Sequence, residues 1–212
     1  MYDTAGLQNK CLQIIFLILN AKQGCFTVAS AKRLISSSRN YGEFFKMKWN
    51  GWIPLKCNVM AWPAEQDRLP TRMELTKRGM VLQDDLCPLC ADNPETSGHL
   101  FTACLFATEV WARIASWCKL APIFGFEVRD LITLPKHLNM RKQESRTLHG
   151  IVLTTLWCIW SARNEMVFQR KFAKVVDVMA KIKASSYFWI KNRSKHKCID
   201  WKDWCNCPFI SM

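Results

Sequence analysis

The sequence predicts a mainly α protein: a small helical domain closed around a cysteine and histidine set, then an α-helical hairpin, with little or no sheet. Three observations carry that prediction. Cys87, Cys90, His99 and Cys104 fall in the pattern C-x2-C-x8-H-x4-C. Apolar residues recur at helical spacing in two long stretches of the second half, which is the signature of amphipathic helices. Half of the 212 residues are hydrophobic, enough for a real core.

Taken in order, residues 1–43 form an N-terminal flanking segment, and Met1 to Lys22 fits no recognisable pattern. Its apolar run, Leu12 to Leu19, is too short to span a bilayer, and the residues before it lack the positive cluster of a secretory signal. Residues 44–120 hold the cysteine–histidine set. There Pro54 suits the first turn of a helix on which Leu55, Val59 and Trp62 share a face. Pro63 interrupts that helix, removing the bond to Val59 at a cost of roughly 3 kcal/mol. Thr71-Arg72-Met73-Glu74 is a capping box and Gly79 a C-terminal stop, giving a helix of two turns. Asn93-Pro94-Glu95 has the order N-cap, proline, first-turn carboxylate, so a short helix starting near Pro94 should carry His99.

Three thiolates and one imidazole make a complete tetrahedral zinc set of the closed, four-ligand kind that is structural rather than catalytic. The two residues between Cys87 and Cys90 allow a tight turn, for which Pro88 presets one dihedral. His99 and Cys104 lie five apart, about 140° round a regular helix, so the helix must end or kink before Cys104. The expected cofactor is one structural Zn2+ per chain. The competing readings are buried cysteines with a surface histidine and a thioredoxin-like redox pair. The latter wants a strand before the motif, and Leu82-Gln83-Asp84-Asp85-Leu86 makes a poor one.

Residues 121–145, with Pro122, Gly125 and Pro135, read as a linker holding at most one short helix begun by Asp130. Residues 146–192 form the hairpin. Its first helix, from about Arg146 to Phe168, carries Leu148, Val152, Thr155, Ile159 and Arg163 on one stripe, widened by Ile151, Leu156 and Trp160. Its partner, from about Ala173 to Lys191, uses Val175, Val178, Met179, Ile182, Trp189 and Ile190. Trp157 and Trp160 fit core positions. Residues 193–212 are a basic tail containing tryptophans and cysteines.

At this point the chain resembles the zinc-binding domain that follows the polymerase in plant LINE-type (non-LTR) reverse transcriptases. The resemblance rests on Trp49, Trp52-Ile53-Pro54-Leu55-Lys56, Trp62, Arg68-Leu69-Pro70-Thr71-Arg72, Leu75 and Arg78-Gly79. It continues through Cys87-Pro88-Leu89-Cys90, Glu95-Thr96, His99-Leu100-Phe101, Cys104 and Trp111, covering roughly residues 44 to 117. Flanking matches are Phe26-Thr27-Val28 with Ser30-Ala31, and Leu156-Trp157-Cys158-Ile159-Trp160 with Ala162-Arg163-Asn164-Glu165 and Phe168. It implies a non-catalytic segment of a polymerase polyprotein that grips template RNA or target DNA. Pro63 stands where this family has a helix former, a departure that suggests relaxed selection in a decaying copy.

Charge points the same way. The formal net is +13, and three thiolates with one divalent ion change it by a single charge. Polyanions are the natural partners of such a surface. Arg68, Arg72, Lys77 and Arg78 cluster before the cysteine motif and are the candidate nucleic-acid contacts. Lys191, Arg193, Lys195, His196 and Lys197 cluster in the tail, where Trp201 and Trp204 are candidates to stack on bases. Either cluster can equally be the solvated face of a basic protein. Asp84-Asp85 lacks the flanking apolar strands of a polymerase palm and reads as solvated. There is no glycine-rich phosphate loop, G-x-S-x-G or H-E-x-x-H, and His137 and His149 have no nearby acidic or cysteine companions. Outside the metal set, Cys11, Cys25, Cys57, Cys118, Cys158, Cys198, Cys205 and Cys207 form no paired framework. A reduced intracellular location, nucleus or cytoplasm, fits best. The expected partner is RNA or DNA, with no membrane. The alternatives are a protein-interaction module docking through exposed tryptophans, and a non-functional relic of the element.

Overall fold

The computed structural model describes residues 47–194 and 199–210, and residues 47–212 form one compact unit. Among the described residues the helices are α1 (Leu55–Glu65), α2 (Arg72–Lys77), a π-helical turn (His99–Ala103), α3 (Leu105–Cys118), α4 (Val128–His137), α5 (Lys142–Gln169), α6 (Val175–Arg193) and α7 (Trp201–Asn206). They contain no strand, only one isolated antiparallel bridge between Leu86 and Pro94. Met1 to Lys22, Phe26-Thr27-Val28 with Ser30-Ala31, and Lys195, His196 and Lys197 lie outside the described residues.

The core is organised around α5, which packs against α1, α4 and α6. Leu148, Ile151, Val152, Leu153, Leu156 and Ile159 are all fully buried, so this helix is covered on more than one side. Two threonine hydroxyls inside it are satisfied locally: Thr154 donates to the Gly150 carbonyl and Thr155 to that of Ile151, each at 2.8 Å. Glu165 meets Lys181 at 2.8 Å, and Gly150 stands against Ile190, so α5 and α6 run antiparallel as a hairpin. Gly150 also gives close approach to the loop before α1, since a Cβ there would stand 3.2 Å from Asn50 Nδ2 and 3.4 Å from Ile53. That loop is pinned by amides. Asn50 donates to the Arg146 carbonyl at 2.8 Å, and Asn58 Oδ1 accepts from the Asn50 backbone at 2.8 Å.

Several local expectations need correcting. On α1 the buried residues are Cys57, Asn58, Met60, Ala61 and Ala64, and the stripe Leu55, Val59 and Trp62 faces outward with exposures of 61%, 48% and 48%. Leu55, Val59 and Trp62 do share a face, and it is the solvent side of α1. Pro63 is accommodated inside α1, two residues from its end, and the chain leaves through Asp67 in the left-handed region. On α2 only half of the capping box forms: Thr71 accepts from the Glu74 backbone, while the Glu74 carboxylate turns to Lys77 at 2.5 Å. Gly79 ends that helix with φ +86°.

The 121–145 stretch contains a helix of ten residues, α4, that packs on α5. Asp130 sits in its first turn rather than at its cap and accepts from the Phe126 and Glu127 backbones at 2.9 and 3.0 Å. The described part of the tail, residues 199–210, includes a short helix. Asp200 caps α7 by accepting from Lys202 and Asp203, and Trp204 is fully buried, edge-on to Trp117 with ring centroids 5.6 Å apart. Its indole donates to the Lys183 carbonyl at 3.0 Å, and Trp117 donates to the Trp204 carbonyl at 2.7 Å. Trp204 is therefore a core residue with no face for a base or a partner, whereas Trp201 is 44% exposed and lies edge-on to Tyr187. No described helix is long and apolar enough to cross a membrane.

Candidate metal centre

Cys87 and Cys90 are carried by a tight turn. The Ala91 N–H donates to the Cys87 carbonyl at 2.7 Å, and Ala91 takes a positive φ of 55° to reverse the chain. The returning segment pairs with the approach: Cys87 donates to the Asn93 carbonyl and Glu95 to that of Asp85, both at 2.7 Å. This pairing occupies Pro94 in the bridge with Leu86, so the expected helix start at Pro94 is wrong. The helical turn begins two to three residues later, where the Thr96 hydroxyl accepts from the His99 backbone at 2.9 Å. The kink expected between His99 and Cys104 takes the form of the π turn. Cys104 donates to the His99 carbonyl at 2.7 Å, five residues back, and is itself extended at φ −66°, ψ 132° before α3 starts. Trp111 locks the turn by donating to the Phe101 carbonyl at 2.8 Å.

These elements bring four donor atoms together. Cys87 and Cys104 Sγ are 3.9 Å apart, Cys90 Sγ and His99 Nε2 3.2 Å, and all four lie within 4.8 Å of one another. Zn–S bonds of about 2.3 Å and Zn–N bonds of about 2.0–2.1 Å in a tetrahedron put two sulfurs about 3.8 Å apart, and a sulfur and nitrogen about 3.5 Å apart. The set matches to within small side-chain shifts. Its electrostatics also fit a cation. Cys87 and Cys104 are fully buried side by side. Without a positive ion they cannot both ionise: Cys87, donating to Cys104 and desolvated, has its thiol pushed far up, while that bond holds Cys104 down. A divalent ion between them removes the conflict. Burial pulls His99 below its usual value against the opposing pull of Asp92 and Glu95, which favours the neutral imidazole that a metal needs.

The candidate phosphate contacts fare differently. Arg72 is ion-paired with Asp84, and Lys77 with Glu74 at 2.5 Å. Asp84 is solvent-exposed, as the sequence suggests, and it also accepts from the Leu86 backbone at 3.0 Å, steadying the loop leading to Cys87. Arg78 donates to the Arg68 carbonyl at 3.0 Å. Neither Arg68 nor Arg78 has a carboxylate partner among the described residues, and both are exposed.

One pair escaped sequence reasoning. Glu95 is fully buried between the Cys90 and His99 ligands in sequence, and it receives Arg163 of α5 in a two-pronged bond, Nε at 2.6 Å and the second guanidinium nitrogen at 2.7 Å. It also accepts from the Arg72 backbone at 2.8 Å. A single carboxylate thus joins the cysteine–histidine loop, α2 and the central helix. The signal was present: Arg163 falls on the apolar stripe of α5, and a charge there requires a buried partner.

Comparison with known proteins finds a matching family model. No curated protein and no solved structure matches the chain. The matched family is a zinc-binding domain and not a catalytic polymerase domain, and its span reaches back to Phe26 and forward to Trp111, enclosing all four donors. Residues 26–111 match the model of the family described as zinc-binding in reverse transcriptase, and within that span lies a Cys3His group positioned for one structural zinc ion.

Proposed function

We propose that Cys87, Cys90, His99 and Cys104 hold a structural zinc and that the module so stabilised binds RNA or DNA without catalysing a reaction on it. Its origin, in this reading, is the segment after the polymerase of a plant LINE-type element, as the motif resemblance supports. The carrying observation is the placement of Arg68 and Arg78. They sit side by side and exposed, Arg78 steered by the Arg68 carbonyl, ahead of the metal loop and with no described carboxylate to neutralise them. A chain of net charge +13 supplies the long-range attraction. None of the described cysteines is joined in a disulfide, which supports a reducing nuclear or cytoplasmic home.

The test is a binding isotherm for RNA and for DNA at several salt concentrations. The expected result is a linear fall of log affinity with log salt, and a slope shallower by about one per lost contact in the Arg68→Ala and Arg78→Ala variants. Affinity independent of salt, or unchanged slopes in the double variant, overturns the reading. A second reading has its own observation: the outward stripe Leu55, Val59 and Trp62 on α1 suits a protein partner, as does the exposed Trp49 ahead of it in the chain.

A further inference from the structure

Between α2 with the loop after it and the last turns of α5 lies a half-open cavity of about 750 Å³. Leu75, Met80 and Val81 form one wall, and Trp160, Val167 and Phe168 the other. Scattered exposed apolar groups are ordinary on a protein surface. Here three converge on one cavity: Val81 is 98% exposed, Phe168 78% and Met80 51%. The walls are apolar, yet the chain on either side of them is basic. Arg68 and Arg78 each stand two residues from a lining residue, Pro70 and Met80, and Arg170 stands two beyond Phe168. The one carboxylate on the lining, Asp84, is already neutralised by Arg72.

A largely apolar slot whose lining segments adjoin exposed arginines in the chain matches a ligand with flat apolar faces on an anionic backbone. We propose that this groove takes an unstacked base of a single-stranded nucleic acid, with the flanking phosphates on Arg68, Arg78 and Arg170; this rests on the nucleic-acid reading above and specifies its substrate class. A duplex hides its base faces in the stack and gains nothing from the walls, whereas a single strand offers them. An apolar peptide fits the walls but leaves the arginines unused. The aromatic rim, Phe168, accepts any base, so the preference is for strandedness over sequence.

The experiment uses the full zinc-loaded chain with a mixed-sequence 12-nucleotide single strand carrying 4-thiouridine and with a duplex of equal length. The variants are Phe168→Ser and Met80→Ser, both at exposed positions, with zinc content confirming that they fold. The expected result is a loss of roughly tenfold in single-strand affinity, from the stacking contribution of one base. Duplex affinity and the salt slope should not change, and the photo-crosslink should map to residues 80–82 or 167–168. Single-strand binding equal to the parent's, an equal loss on duplex, or a crosslink elsewhere overturns the groove while leaving nucleic-acid binding intact. A parent chain that binds neither oligonucleotide overturns both readings together.

Discussion

Replacing Arg163 by methionine removes the guanidinium and keeps most of the packing, so it isolates the tie between the metal loop and α5. Glu95 would keep only the Arg72 backbone N–H of its three donors, while remaining fully buried. Orphaning one member of a buried ion pair costs about 3–5 kcal/mol, because the surviving charge has lost both water and partner. Glu95→Leu should cost about as much, since it strands Arg163, whose side chain is 4% exposed. With both replaced, no charge is buried, and what remains is chiefly the Arg72 N–H without an acceptor, about 1–3 kcal/mol. The double variant should therefore be more stable than the two single losses summed by roughly 3 kcal/mol or more. Urea denaturation of zinc-saturated protein, followed by circular dichroism at neutral pH, measures all four corners of the cycle. Single losses under about 1 kcal/mol, or losses that simply add, would refute the claim that Glu95 and Arg163 depend on each other away from water.

Three further outcomes are expected. Natively purified protein should contain one zinc per chain, and chelation or Cys104→Ser should melt the structure around residues 87–111, since metal affinity here is folding free energy; metal analysis finding none would refute it. His149 is pushed down to about 4 by burial, helped by Lys136 and Lys48, so the folded state binds fewer protons than the unfolded one between pH 6.5 and 4. Acidification through that window should remove up to about 3 kcal/mol of stability, and His149→Gln should flatten the decline; parallel profiles would count against it. Trp204→Ala should cost about 3–5 kcal/mol against under 1 for Trp201→Ala, and denaturation curves showing the reverse order would contradict the buried placement of Trp204.

The metal set was legible because its information is local: two cysteines on one turn, then a histidine and cysteine on the next element. The long helices were legible because Leu148 to Ile159 and Val178 to Ile190 repeat at the helical period. What escaped depends on partners far along the chain. Glu95 looked like a first-turn carboxylate after Asn93-Pro94 until Arg163, 68 residues later, claimed it. Trp204 looked like a tail residue free for stacking, and Trp117, 87 residues earlier, holds it by a hydrogen bond. On α1 the apolar periodicity of Leu55, Val59 and Trp62 does not say which side is buried, and the buried side holds Asn58, Ala61 and Ala64, which carry little hydropathy signal. Arg72 resembled its basic neighbours in composition, and only the folded loop brings Asp84 to it.

The π turn at His99–Ala103 sets regularity against ligation. A hydrogen bond spanning five residues means that the backbone holds one residue more than an α turn needs, and this surplus places Cys104 where the other three donors converge. Deleting Thr102 would let the segment wind as an ordinary α turn while rotating Cys104 by about 100° away from the centre. The length of this turn and the convergence of the four donors are therefore one constraint: substitutions that keep the residue count leave Cys104 in register, whereas losing a single residue turns it away from the other three.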